Sequence, residues 1–320
     1  MAATTTDGRA VEARRPRGGA PVKHWGMRDT LSPLGLLLDV DGPIASPVTR
    51  TIATPSIITD LISLAGANVP IAFITGRSST FIREQVVAPL CEAGLPESMR
   101  MYGVCEKGAV WFPITAAGMG RIIVDDSVAL PAVAVDLLRD LVADRFSDTM
   151  FFDETKQAMV SVEQRTDADH GAYQAAAAEF NEAAFAVMVE LGLGIRFGDR
   201  VVPDAAGAVG FRIDPTIIST DIESVTLDKD RGAERALAFF SESGSLPRVW
   251  RSVGDSRSDY LMADHLHAAG YDVSHVDVRP SDGILERPYP VIVEGTLIHD
   301  AAGAEFLRSW VDRLGLPRNG

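Results

Sequence analysis

Cysteine is nearly missing from this 320-residue chain: only Cys91 and Cys105 occur. Two thiols cannot form a disulfide framework, and these are not spaced as metal ligands, so a reducing cytoplasmic compartment is the expectation. Basic residues are also in short supply. The 30 Lys and Arg face 44 Asp and Glu, a net charge of −14, and such a field repels nucleic acid and anionic membranes. An anionic small substrate therefore needs a locally positive pocket. No apolar run is long enough for a signal peptide or a membrane span, and no repeat of solenoid period is present. The opening stretch, 1–30, is rich in small, polar and basic residues, including the cluster at 14–17, and reads as a mobile soluble tail.

What is abundant is apolar material, 46% of residues against 23% charged, enough to bury a sizeable core. From residue 35 onward, short apolar runs alternate with helical patterns, the signature of an α/β fold with a parallel sheet. Strands are expected at 35–41 and 69–76, helices at 54–68 and 78–94, and a strand pair at 99–112 turning at Glu106 to Gly108. Thr54 and Pro55 read as the start of the first of these helices.

The middle of the chain has another rhythm, helix, strand, strand, given twice. An amphipathic helix at 131–146 precedes a hairpin at 150–165 around Thr155 and Lys156. An Ala-rich helix at 169–192 then precedes two strands, 195–203 and 206–215. After residue 222 the α/β rhythm resumes and runs to a closing helix. The expected organisation is a discontinuous core, 31–126 with 223–320, interrupted by an α+β insertion at 127–222 of order αββαββ.

Ligands of open parallel sheets sit beyond the carboxyl ends of the strands. Three such ends here carry chemistry: Asp39 and Asp41 after the first strand, Thr75-Gly76-Arg77 after the second, and Gly254-Asp255, followed by Asp259, after a later one. If these strands are neighbours, four carboxylates meet in one crevice, an arrangement that is unstable without a cation. An oxygen-rich, histidine-free set suits Mg²⁺. Because Mg²⁺ shares its shell readily with phosphate oxygens, a small phosphorylated substrate is the expected partner. Thr75 offers a hydroxyl and Lys229 an ammonium to the phosphoryl oxygens. His265 and His267, two positions apart on a helix, face different sides and read as surface or packing residues rather than a metal pair.

The segments DVDG at 39–42, ITGR at 74–77, DKDRGAERAL at 228–237 and GDSRSDYLM at 254–262 resemble, in order, the four motifs of the haloacid dehalogenase (HAD) superfamily phosphatases. The resemblance implies a Rossmann-like core and an inserted cap of the C2 type B kind, as in sugar-phosphate phosphatases. It further implies that Asp39 is the nucleophile and Asp41 the general acid/base, with Thr75 and Lys229 holding the phosphoryl group and Gly76 and Arg77 in the substrate cradle. Mg²⁺ would be bound by Asp39, Asp255 and the carbonyl of Asp41, with Asp259 supporting that shell. Arg231-Gly232 competes with Lys229 for the motif's cation; a compact ammonium is the better match to an aspartate-phosphoryl contact. Pro43 and Ser258 stand where relatives commonly have threonine and asparagine.

Other readings follow from the same residues. A phosphomutase of the phosphomannomutase type uses the same aspartyl-phosphate and a similar cap, and a non-catalytic phospho-ligand-binding protein needs only the fold. Lys156, Arg196, Arg200 and Arg212 are candidate cap residues for reading a substrate.

Overall fold

The computed structural model describes residues 33–317. The tail expected at 1–30 lies outside the described residues. Among these, no helix is long and apolar enough to cross a membrane.

The large sheet forms because each of its central strands is apolar on both faces. β1 (Gly35–Leu38) is buried at all four positions, as is β2 (Ile71–Ile74), the pattern of a sheet covered by helices on both sides. β1 pairs in parallel with β2 on one flank and with β13 (Val249–Gly254) on the other. The sheet continues outward through β3 (Met101–Cys105) in one direction, and through β14 (Asp272–Asp277) and β15 (Val291–Ile292) in the other, all parallel. β4 (Val110–Thr115) then turns back antiparallel on β3. Two short strands, β5 (Gly118–Met119) and β6 (Ile123–Val124), pair with β4, making nine strands among the described residues.

The helices that cover it are amphipathic or apolar on the buried side. α1 (Pro55–Gly66) buries Ile57, Leu61 and Leu64, the residues at helical spacing. Thr54 precedes it but does not cap it; its hydroxyl instead donates to Asp300 at 3.0 Å, at the start of the closing helix. The helical run after β2 consists of α2 (Ser79–Ile82), a π turn (Arg83–Val87) and α3 (Ala88–Glu92). Ser78 caps it by accepting from the Phe81 N–H. Two apolar clusters result, one on each face of the sheet.

A second sheet has its own apolar cluster. Its six strands lie in the order β10-β9-β11-β12-β8-β7, under α4 (Ala132–Arg145) and α5 (His170–Glu190). β7 (Met150–Phe152) and β8 (Val160–Gln164) form the expected hairpin. The rest departs from the αββαββ order. The stretch 195–203 is two strands, β9 (Ile195–Phe197) and β10 (Arg200–Val202), because Gly198 at φ 57° makes a tight turn between them. β11 (Phe211–Pro215) pairs with β12 (Ser219–Ser224), an element the hydrophobic pattern does not announce. Four of the six β12 residues are both polar and buried, so the strand carries almost no apolar signal. It also runs two residues past the boundary expected at 222.

The chain then returns to the large sheet through α6 (Lys229–Ser243), β13, α7 (Tyr260–Ala268) and β14, and ends in α8 (His299–Arg313). α8 packs against α1 and against the turn after β1. A Cβ on Gly303 would stand 1.9 Å from the Pro43 carbonyl oxygen, so only glycine lets the helix approach that turn. Gly303→Ala is expected to destabilise the protein by about 1–3 kcal/mol through overpacking, read as a lower denaturant midpoint.

His275, fully buried in β14, has Nδ1 2.8 Å from Ser252 Oγ and no hydrogen-bond partner on Nε2. Burial pushes its pKa down to about 4, against the pull of Asp259, Asp277 and Asp264. The unfolded chain, with an ordinary imidazole near 6.5, therefore takes up the proton first. The contribution of His275 to stability is complete above pH ~6.5 and is lost as pH falls from there to about 4, by about 3 kcal/mol in all. Thermal melts from pH 7 to pH 4 should show a steeper acid decline in the wild type than in His275→Gln; parallel declines would contradict this.

Candidate active site

The strand order β13-β1-β2 brings three carboxyl ends side by side. Asp39 leaves β1 with its N–H bonded to the Val253 carbonyl of β13 at 2.9 Å, and Thr75 leaves β2 with its N–H bonded to Val104 of β3 at 3.0 Å. Asp255 follows the last residue of β13. The segment 257–259 is a short 3₁₀ turn, whose Asp259 carboxylate turns back to accept from the N–H groups of Asp255 and Ser256 at 3.1 and 2.9 Å and from the Ser256 hydroxyl at 2.7 Å. Ser256 reciprocates in a capping box. One carboxylate oxygen from each of Asp39, Asp255 and Asp259 lies within 4.8 Å of the others.

Lys229, the first residue of α6, is driven into this cluster. Its Nζ donates to Asp39 Oδ1 at 2.5 Å and to the Ile74 carbonyl oxygen at 2.7 Å, and lies 2.8 Å from Asp259 Oδ1 in an ion pair. Asp228 caps the helix by accepting from the Lys229 N–H at 2.9 Å. Arg231, the competing cation of the motif, points elsewhere: with Arg235 it pairs to Asp125.

Burial dominates the acid–base character of the cluster. It raises the pKa of Asp39 well above the carboxylate range, with Asp259 adding to the rise and Lys229 opposing it. Asp255 is pushed up to about 6, again by burial first and Asp259 second. Asp259 moves the other way, because its Lys229 contact and the Ser256 hydroxyl outweigh its desolvation. Buried carboxylates held this close are stabilised by positive charge, and the donor set, all hard oxygens with no histidine or cysteine, fits a hard divalent cation.

Asp41 is separate from the trio. Its two oxygens accept from Arg77 Nε at 3.0 Å and Nη2 at 3.2 Å, a bidentate pair at the mouth of the pocket. Arg77 also reaches Glu163 of β8 at 3.5 Å. Thr75 is buried, and its hydroxyl accepts from the Arg77 N–H at 3.0 Å, which leaves the hydroxyl proton free to donate into the pocket. Asp39, Asp41, Thr75, Gly76, Arg77 and Lys229 all line one pocket of about 230 Å³.

The small sheet roofs that pocket, with Ser161, Glu163, Ser219 and Asp221 on its lining. Of the four cap residues singled out in the sequence, Lys156 lines the pocket. Arg200 pairs with Glu182 on α5, and Arg212 with Glu223, at 2.6 Å.

Sequence reasoning assigned no role to Glu106 and Lys107, although it placed the turn that carries them. Both adopt left-handed backbone, φ 49° and 55°, and both side chains enter the small sheet. The fully buried Glu106 carboxylate accepts from the N–H groups of Gln157, Ala158 and Met159, at 2.9, 2.8 and 3.2 Å. Lys107 Nζ is 2.6 Å from the fully buried Glu223 and 3.4 Å from Asp221. A charged Glu-Lys pair at a turn is a common surface pattern, so nothing in the sequence distinguishes it. The acids of β12 carried a faint signal, alternating about Ile222.

No family model matches the chain, and neither does any curated protein. Solved structures do match. A crystal structure described as a trehalose-6-phosphate phosphatase related protein aligns over 88% of this chain and 98% of its own, with 14% identity and a TM-score of 0.52. A haloacid dehalogenase-like hydrolase from Bacteroides thetaiotaomicron aligns over 87% and 98%, with 11% identity and a TM-score of 0.51. A Streptococcus mutans protein aligns over 88% and 99%, with 12% identity and a TM-score of 0.50. Coverage of nearly the whole of both chains takes in the parallel sheet and the inserted one alike, and the chain therefore has the fold of a haloacid dehalogenase-like hydrolase with its cap.

Proposed function

We propose that this protein is a Mg²⁺-dependent phosphatase that hydrolyses a small phosphorylated metabolite, a sugar phosphate, through an aspartyl-phosphate on Asp39. The observation that carries the reading is the clustering of Asp39 with Asp255, Asp259 and Lys229, at the floor of a pocket that Asp39 and Lys229 share with Thr75. Phosphoryl transfer is limited by charge, and positioned cations and donors are what lower its barrier.

In this reading Asp39, Asp255 and the Asp41 carbonyl hold the cation, and Asp259 supports them by fixing the turn that follows Asp255. The bound cation supplies charge neutralisation at the phosphoryl oxygens. Lys229 favours the ionised form of Asp39 against the effect of burial and meets the phosphoryl group, to which Thr75 donates its hydroxyl proton. Asp39 Oδ attacks phosphorus and the ester P–O bond breaks, while Asp41 gives a proton to the departing alkoxide oxygen. Asp41 then takes a proton from the water that attacks the aspartyl-phosphate, releasing inorganic phosphate and restoring Asp39. Gly76 and Arg77 border the substrate, Arg77 at the exit where the leaving group stands.

The roof supports a sugar as that leaving group. Ser161, Ser219, Glu163 and Asp221 present hydroxyls and carboxylates, which donate to and accept from sugar hydroxyls and disfavour a second anionic group. The structural neighbour described as trehalose-6-phosphate phosphatase related agrees with this class of substrate.

Phosphate release from a generic phosphomonoester should require Mg²⁺, stop on chelation with EDTA, and fall by about 10³-fold or more in Asp39→Asn. Comparable release by the variant would exclude Asp39 as nucleophile. A panel of phosphorylated metabolites would then identify the preferred ester, with sugar phosphates expected to exceed nucleotides.

A further inference from the structure

We propose that Lys156, on the cap, is a ligand of the phosphoryl group, so that the closed cap completes the phosphate site rather than only reading the leaving group. The inference rests on the phosphatase reading above.

The first support is the state of the pocket's cations. Lys229 is bound to Asp39 and Asp259, Arg77 to Asp41 and Glu163, and Lys107 to Glu223 and Asp221. Each is already matched to carboxylates. Among the described residues Lys156 enters no ion pair with a carboxylate, and its Nζ donates to one neutral acceptor, the Gly76 carbonyl oxygen, at 2.6 Å. Glu106 is near enough to feel this ammonium, but its oxygens are taken by the N–H groups of residues 157–159. An ammonium has three protons to donate. Two remain for a ligand in the pocket that Lys156 shares with Asp39 and Thr75.

The second support is how firmly the residue is held. Its neighbours on the β7–β8 hairpin are bonded to the segment that follows Thr75: Thr155 Oγ1 is 2.7 Å from Ser78 Oγ, and Gln157 Nε2 is 2.7 Å from Ser79 Oγ. Asp153 braces the loop by accepting from the Thr155 N–H at 2.9 Å. Three consecutive cap residues thus reach residues 76, 78 and 79, which places the ammonium beside the loop that would cradle phosphate. A phosphoryl dianion entering this acid-rich pocket meets one cation without a carboxylate partner. A phosphate oxygen accepting one of the two remaining protons forms a hydrogen bond in which donor and acceptor are both charged, while the bond to the Gly76 carbonyl is kept. Phosphate and cap closure then favour each other, since the closed form alone offers the ammonium.

The test compares wild type, Lys156→Gln and Lys156→Arg, each as the full chain, by calorimetric titration with inorganic phosphate in the presence of Mg²⁺. It is paired with steady-state kinetics on p-nitrophenyl phosphate and on the best sugar phosphate. Lys156→Gln should weaken phosphate affinity at least about tenfold and lower kcat/KM for both esters by a similar factor, with Lys156→Arg recovering most of each loss. Thermal melts matched to wild type confirm that the Gln variant is folded. Unchanged phosphate affinity in Lys156→Gln, or a loss confined to the sugar ester, overturns the assignment while leaving the phosphatase reading standing. Absence of both phosphate binding and hydrolysis in the wild type overturns the phosphatase reading and this inference with it.

Discussion

The ammonium of Lys229 between Asp39 and Asp259 is the contact on which the rest of the site depends. Two buried carboxylates this close repel each other strongly in a medium where charge is poorly screened, and neither has water to disperse it. The lysine eases that conflict by donating to Asp39 and to the Ile74 carbonyl while lying 2.8 Å from Asp259 in an ion pair, which ties α6 to the ends of β1, β2 and β13 together. Asp255 is paired more loosely, with Arg279 at 3.6 Å, and burial pushes its pKa up to about 6. The crevice is therefore divided between Asp259, whose charge is matched, and Asp39 and Asp255, whose raised pKa values mark where further positive charge is favoured.

A similar division governs the join between the two sheets. The left-handed pair Glu106 and Lys107 holds backbone in a sparsely populated region, at a cost of about 1–3 kcal/mol per residue. Two buried carboxylate networks offset it. Glu106 satisfies three N–H groups at the start of β8, and Lys107, with Arg212, neutralises Glu223 on β12. Both anchors lie close to the strand ends that carry the catalytic candidates. Beside them the contacts are lighter: single hydrogen bonds from residues 155–157 and the 3.5 Å approach of Arg77 to Glu163. The roof is thus held to the large sheet by these two buried carboxylate networks and by a set of single hydrogen bonds next to them.

The polar interior of the roof also explains where the sequence was hard to read. β12 is buried, yet Thr220, Asp221, Glu223 and Ser224 make it look like a surface loop, because its side chains face a pocket and an ion-pair network instead of an apolar core. The β9–β10 turn was hidden for a different reason: a single Gly198 inside an apolar stretch breaks a strand only when neighbouring strands require the reversal. By contrast, β1 and β2 announce themselves, since a strand buried on both faces has no room for polar residues until its end, whereas β13 carries Arg251 and Ser252 midway and is read from its apolar flanks. That is why the acids at 39, 41 and 255 stand out against what precedes them.

The sequence by itself determined the alternation of strands and helices, the insertion of a differently patterned segment, and which acids terminate apolar strands, because burial on two faces writes these features directly into composition. Only the tertiary structure decided which cation serves those acids. Lys229 and Arg231 sit two residues apart at the start of one helix, and it is the turn of that helix against β2 that sends Lys229 into the carboxylates and Arg231 to Asp125. It likewise decided that Lys107 and Lys156 line one pocket and that Glu106 braces residues 157–159, since contacts between residues fifty or more positions apart depend on how the two sheets meet, which no local pattern encodes.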